Sequence, residues 1–317
     1  MTWHPDLAAR LHLLDGMTSW MDLDEEQRAR QAAWDAPHGE PESTPMQIDD
    51  RRIPGPHGEI GVRIYGPVEP GTDRPCLVWL HGGAFIFGDL DMPEADEVSK
   101  GVVARSGAVV VSVDYRLAVD GVHFPVPHDD VVAAYRWTRD HASELGIDAT
   151  KIAIGGGSAG ANLAAGAALH LCDDGEAPWQ VFLAYPVLHP ILPKPSEELT
   201  AALAQAPKVL LMGAEHREDD EIGWINENYL GGPLAMATPY AYPGLAESLV
   251  GYPRTLIEND EFDGLRSSGE AFAEALARDG VEVEQLCVRG VPHGHLNRVG
   301  FGPAKETVAR FAARLNR

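Results

Sequence analysis

Cysteine is scarce in this chain. Among 317 residues there are three, Cys76, Cys172 and Cys287, far apart and each in an apolar segment. An odd, scattered set excludes a disulfide framework and the closely spaced ligand pairs of structural zinc sites. Buried free thiols in a reducing compartment are expected. Basic residues are also few: 25 Lys and Arg face 48 Asp and Glu, for a net charge of -23. That acid excess repels nucleic acid and anionic lipid, so no nucleic-acid partner is expected, and solubility is its plain consequence. No apolar run approaches the length of a membrane span. The opening stretch, MTWHPDLAARLHLLDGM, carries Asp6 and Asp15 where a secretion signal needs a continuous apolar region. A cytoplasmic protein without membrane insertion is expected. Internal repeats and low-complexity tracts are lacking too.

What is present is ordinary in bulk, with 44% hydrophobic and 23% charged residues, and sufficient for one large α/β unit. Residues 1 to about 45 read as helical, since Leu7, Leu11 and Leu14 share a helical face and strong helix formers run from Asp24 to Trp34. The stretch APHGEPESTP ends them. A hairpin follows, Met46 to Ile53 and Ile60 to Tyr65 around PGPHGE. From there strands and helices alternate. Strands are expected at CLVWL (76–80), AVVVSVDY (108–115), KIAIG (151–155), VFLAY (181–185), RTLIE (254–258) and VEVEQLCV (281–288). Helices are expected over Pro93 to Arg105, Asp129 to Leu145, Ala159 to Leu171, Ser267 to Arg278 and Pro303 to Leu315. Such alternation predicts a parallel sheet covered on both faces. About seventy residues between Tyr185 and Arg254 contain no clear strand. They read as a helical insertion above the carboxyl ends of the strands, with one helix capped by Ser196 and another near Asp219 to Tyr229.

The stretch IGGGSAGANL (154–163) sits between an expected strand and an expected helix. Gly156 and Gly160 flank Ser158 in a G-x-S-x-G pattern. At a strand-to-helix bend the serine takes strained backbone, and glycines two before and two after remove the clashes. Its hydroxyl then stands exposed beside the Ala159 N–H and the positive end of the helix. Two phosphate-binding readings compete. A P-loop needs a following Lys and Ser or Thr, which are missing. Gly155, Gly157 and Gly160 match dinucleotide spacing, but they follow several strands instead of opening the first βα unit. A second motif decides: LHGGAF (80–85) follows the CLVWL strand, and an H-G-G turn there supplies the other half of an oxyanion hole. The candidate donors are the backbone N–H groups of Gly83, Ala84 and Ala159. His81 reads as a brace for this loop.

A serine needs a base, and a histidine base needs a carboxylate to fix its tautomer. In the order Ser, acid, His, the acidic loop of RTLIENDEFDGLR offers Glu258, Asp260, Glu261 and Asp263, and LCVRGVPHGHLNR offers His293 and His295. Gly294 favours His293. Spacing leaves the four carboxylates open.

With HGGAF, VDYRLA, FPVPHDD, GGSAGANLA, ENYLGG, EFDGLRSSGE and VPHGH, the chain from about Leu77 onward resembles the hormone-sensitive-lipase-like (bacterial family IV) carboxylesterases of the α/β-hydrolase superfamily. The resemblance implies an eight-stranded, mostly parallel sheet with helices on both faces and a helical cap. It implies Ser158 as nucleophile, Asp263 as acid and His293 as base. Residues 46–186 and 241–317 would form the catalytic domain, and 1–45 and 187–240 the cap. The implied activity is hydrolysis of small, short-chain acyl esters through an acyl-enzyme, with no metal or organic cofactor and with pairing into a homodimer. Lactone or amide hydrolysis on the same site, and a catalytically silent ligand-binding role, are the rival readings. Departures from the pattern are Ala84 for a third glycine, Gly157 for an acidic residue, Gly264 and Ser267 for proline and aspartate, and His295 for an aromatic. They bear on substrate range and on the shape of the acyl pocket. The N-terminal segment, with Trp3, Leu7, Leu11, Leu14 and Trp20, reads as part of the cap; its acids argue against a lipid-surface helix.

Overall fold

The structure is a computed structural model that describes residues 2–20, 23–211 and 221–317. Its sheet contains β1 (Met46–Ile53), β2 (Ile60–Pro67), β3 (Arg74–Leu80), β4 (Val109–Asp114), β5 (Ile147–Gly157), β6 (Val181–Ala184), β7 (Thr255–Phe262) and β8 (Val283–Pro292). The spatial order is β1-β2-β4-β3-β5-β6-β7-β8. β1 and β2 run antiparallel, as do β2 and β4, and all later pairings are parallel. The interior strands are buried on both faces because helices cover both; all eight residues of β7 are buried, its acids included. The chain steps outward from β3 in opposite directions, to β4 on one side and to β5 on the other. That switch opens a crevice at the carboxyl ends of β3 and β5. The HGG turn follows β3 and Ser158 follows β5, so topology brings the two motifs side by side.

The helices are α1 (Pro5–Ala8), α2 (Glu25–Trp34), α3 (Pro93–Ser106), α4 (Val126–Asp140), α5 (Ala142–Leu145), α6 (Ala159–Asp173), α7 (Glu197–Leu203), α8 (Glu221–Leu230), α9 (Arg266–Arg278) and α10 (Gly302–Leu315). Asp24 caps α2 with a reciprocal bond to Gln27, and the Ser196 hydroxyl accepts the Leu199 N–H to start α7. Small side chains on α6, among them Ala161, Ala164, Ala165 and Ala168, are fully buried and let it lie close to the sheet.

Three expectations need correction. The N-terminal segment is helical only in pieces: α1 stops at Ala8, a 3-10 turn spans Leu11–Leu14, and α2 begins only at Glu25, while the APHGEPESTP stretch ends the helices as expected. Gly16 at φ 75 and the prolines at 37, 41 and 45 break the run. Its apolar residues still point inward: Leu7, Leu14 and Met17 are buried, and Trp3 stacks on Phe262 at 4.1 Å. The stretch Asp129 to Leu145 is two helices, because His141 leaves helical geometry at φ -103, ψ 18, with its Nδ1 2.8 Å from the Trp137 carbonyl oxygen. The three free cysteines are not equally buried; Cys76 is inside, Cys172 and Cys287 are half-buried. Asp219 and Asp220 of the second insertion helix lie outside the described residues, and α8 covers the remainder of that expectation, from Glu221 to Tyr229. Among the described residues no helix is long and apolar enough to cross a membrane.

α10 closes one face of the sheet. Phe311 is fully buried between Trp79 and Phe182, with ring centroids 5.7 and 5.2 Å away. Phe311→Ala leaves a cavity under the helix and is expected to lower unfolding free energy by about 3–5 kcal/mol, read by urea titration.

Candidate active site

Ser158 sits between the last residue of β5 and the first of α6 at φ 53, ψ -118, a region that side chains avoid. The bend is held by the Ser158 N–H, which donates to the Ala184 carbonyl at 2.9 Å. Gly160 has no room for a side chain; a Cβ there would lie 2.3 Å from the carbonyl oxygens of Leu80 and His81. The Ser158 turn and the HGG turn are thus in backbone contact.

The structure brings Ser158, His293 and Asp263 together. His293 Nε2 is 2.9 Å from Ser158 Oγ, and its Nδ1 is 2.7 Å from Asp263 Oδ2. An ionised carboxylate only accepts, so the neutral ring donates from Nδ1 and its Nε2 accepts the Ser158 hydroxyl. Asp263 is fully buried, and its Oδ1 accepts the Leu265 N–H at 2.9 Å. Burial by itself would lower the His293 pKa. The Asp263 charge and hydrogen bond, then the charges of Asp260 and Glu94, outweigh it and push it up to about 9. The Tyr185 ring meets His293 edge-on at 5.0 Å.

The other candidates lie elsewhere. β7 runs on to Phe262, four residues past the expected end, so Glu258, Asp260 and Glu261 belong to the strand and only Asp263 lies beyond it. Glu258 accepts from Arg310 and from Thr307, each at 2.7 Å. Glu261 accepts the Gly290 N–H at 2.6 Å and pairs with Arg289. Asp260 binds His295 Nδ1 at 2.6 Å, and His295 Nε2 is 2.9 Å from the Thr307 hydroxyl. Both members of this second pair are fully buried, and both ring nitrogens are used away from Ser158. Burial lowers the His295 pKa to about 4, which keeps the ring neutral.

The turn after β3 has three consecutive residues at positive φ: Gly83 at 113, Ala84 at 51 and Phe85 at 64. A Cβ on Gly83 would fall 1.9 Å from the Phe87 carbonyl oxygen, so glycine is required there. Phe85 anchors the strained turn by stacking on Tyr229 at 4.0 Å. Among the described residues the N–H groups of Gly83 and Ala84 meet no acceptor. That of Ala159 opens α6, where no intrahelical acceptor exists. All three residues line the same cavity as Ser158 and His293, which has a volume of about 110 Å³. Phe87, Met92, Val187, Ile225 and Leu265 supply much of its apolar wall. His81 stacks on Tyr115 at 4.5 Å, and the Tyr115 hydroxyl donates to its carbonyl at 2.8 Å, as suits a brace.

Sequence reading missed Glu94, Tyr185 and Asn297. Glu94 is an acid in the first turn of α3 and looks like any N-terminal helix charge, yet it is 1% exposed and lines the cavity. Among the described residues no group of three or more His, Cys, Asp and Glu is placed to hold a metal ion.

The family model described as alpha/beta hydrolase fold matches residues 77–297. The chain is 32% identical to Esterase LipI of Mycobacterium tuberculosis, over 93% of this chain and 89% of that protein. It is 34% identical to Carboxylesterase NlhH of the same organism, over 87% and 85% respectively. Among solved structures it resembles a hyperthermophilic esterase from the archaeon Pyrobaculum calidifontis with a TM-score of 0.80 and 30% identity, covering 100% of this chain and 98% of that one. With the fold, the paired turns and these similarities in agreement, the chain belongs to the hormone-sensitive-lipase-like family of α/β hydrolases.

Proposed function

We propose that the protein is a serine carboxylesterase that hydrolyses short-chain acyl esters through Ser158, His293 and Asp263. The observation that carries this reading is the continuous line of hydrogen bonds from Asp263 through His293 to Ser158, ending at a cavity with apolar walls. The names of the relatives, esterase and carboxylesterase, support the same chemistry.

In the proposed cycle His293 Nε2 takes the Ser158 proton as Oγ bonds to the ester carbonyl carbon. The carbonyl oxygen becomes anionic and accepts from the N–H groups of Gly83, Ala84 and Ala159, each contributing about 2.7–4 kcal/mol if comparable to known oxyanion donors. His293 then gives its proton to the leaving alkoxide oxygen as the C–O bond breaks. Water, deprotonated by His293, attacks the acyl-enzyme, and the proton returns to Ser158 as the carboxylic acid leaves. Asp263 stays ionised and stabilises the imidazolium.

We assign residues 46–186 and 241–317 to the catalytic domain and 1–45 and 187–240 to a cap. Val187, Ile225 and Asn226 wall the cavity, and Trp20, Val209 and Leu210 line a cleft that also reaches His293, which supports that division. The small cavity supports short acyl groups, and the three free thiols fit a reducing, cytoplasmic setting.

The test is a p-nitrophenyl ester series from acetate to decanoate, together with labelling by a fluorophosphonate. Stoichiometric label on Ser158 is expected, with kcat/KM falling by at least about tenfold between the best short ester and decanoate. A protein that takes no label is not a serine esterase.

A further inference from the structure

Among the described residues, Glu94 is the one buried carboxylate in the cavity wall that the proposed cycle leaves without a part. Its Oε2 accepts the Gly82 N–H, at the root of the turn that carries Gly83 and Ala84. Its Oε1 accepts the Tyr185 hydroxyl, and the Asn297 amide lies 3.4 Å from the same oxygen. Tyr185 is the ring that meets His293 edge-on, and Asn297 lies on the loop after His293. The residue's own backbone is pinned as well, because its carbonyl accepts the Trp79 indole N–H at 2.8 Å. One carboxylate therefore ties the oxyanion turn to the ring that meets His293 and to the loop that follows it. The space it fills exists because residue 157 has no side chain; a Cβ on Gly157 would lie 2.3 Å from Glu94 Oε1.

We propose that Glu94 is a positioning residue for the hydrolytic reaction, its carboxylate seated in the space left by Gly157 and joining the Gly82 turn to the Tyr185 and Asn297 side of His293. The inference rests on the Ser158–His293 reading of the site. A carboxylate accepts from all these donors at once, whereas an amide has one acceptor oxygen and turns N–H groups on another donor. Glu94→Gln therefore leaves at least one of these buried donors unpaired with little change in volume.

The charge has a separate consequence at His293. The ionisable groups around that ring are Asp263 and Asp260 from β7 and the turn after it, Tyr185 after β6, Glu94 from α3 and His295 from its own loop, with Lys208 lining the adjoining cleft. Tyr115, whose hydroxyl lies 3.3 Å from the Gly82 carbonyl oxygen, is within electrostatic reach of Glu94. Removing one negative charge from this set lowers the pH at which the imidazolium loses its proton. A merely structural side chain would not do that.

The experiment measures kcat, KM, melting temperature and the pH profile of kcat/KM for the wild type, Glu94→Gln, Glu94→Ala, Gly157→Asp and the double variant Glu94→Ala with Gly157→Asp. Glu94→Ala is expected to lower kcat by about 10²-fold with little change in KM, since misplacing the machinery by an ångström costs that much. In Glu94→Gln the acid limb should move down by about one pH unit. Gly157→Asp alone should be damaging, because two carboxylates would compete for one space. Combined with Glu94→Ala it should recover about tenfold in kcat over Glu94→Ala alone, by returning a carboxylate to that space from the opposite side. The proposal is overturned by Glu94→Gln with wild-type kcat and an unmoved acid limb, or by a loss of kcat in Glu94→Ala that Gly157→Asp does not repair. Fluorophosphonate labelling of the wild type separates the two readings: label at Ser158 with either of those results removes only the role of Glu94, and no label removes the triad reading as well.

Discussion

Ser158→Ala is expected to lower kcat/KM for p-nitrophenyl acetate by at least about 10⁴-fold, with residual turnover left to the oxyanion donors and binding. The magnitude follows from the geometry. No other hydroxyl lies within hydrogen-bond reach of His293 Nε2 among the described residues, so in the proposed cycle His293 loses its partner and water must attack unaided. The substitution keeps the Cβ and hence the strained φ of 53 at the turn. The melting temperature should therefore stay close to that of the wild type while activity disappears, and calorimetry beside the kinetics separates the two. A fall of less than about tenfold would contradict nucleophilic attack by Ser158.

Asp263→Asn is the second large effect, about 10⁴-fold in kcat, for a reason visible in the hydrogen bonds. Oδ1 of Asp263 accepts the Leu265 N–H at 2.9 Å, while Oδ2 faces His293 Nδ1 at 2.7 Å. An asparagine that keeps the first bond must turn its amide N–H₂ toward Nδ1. The ring then accepts at Nδ1 and carries its proton on Nε2, where it can no longer accept from Ser158. The pH profile gives an independent reading. In the proposed cycle His293 acts as a base only when neutral, so kcat/KM of the free wild-type enzyme should rise with pH through the His293 pKa, which is held up at about 9. Burial opposes that rise and the Asp263 charge overcomes it, so Asp263→Asn should move the acid limb to lower pH even as the maximum collapses. A limb that stays in place would mean another group sets the profile.

Much of this site was legible because its chemistry is local. Gly156 and Gly160 around Ser158, and Gly83 after His81, occur where backbones approach too closely for side chains, and such constraints leave a trace in neighbouring residues. The element order was equally plain, since strands with two covered faces read as continuous apolar runs. Other features were not legible, for physical reasons. The piecewise N-terminus keeps its leucines inward without a continuous helix, so helical spacing overstated the helix. β7 carries Glu258, Asp260 and Glu261 inside the sheet, where Arg310, His295 and Gly290 satisfy them; a run of acids resembles a solvated loop when the partners lie 29–52 residues away in the chain.

From its own sequence this protein determined the order of its strands and helices and the two glycine-bounded turns, because backbone sterics act between neighbours. Only the tertiary structure decided which carboxylate meets which histidine. Asp260 and Asp263 are three residues apart and both find an imidazole, but the strand ends between them, leaving one pair sealed in the core and the other beside Ser158. Glu94 shows the same division: its charge is written in the chain, while its burial against Gly82, Tyr185 and Asn297 depends on long-range packing that brings residues up to 203 positions apart into contact.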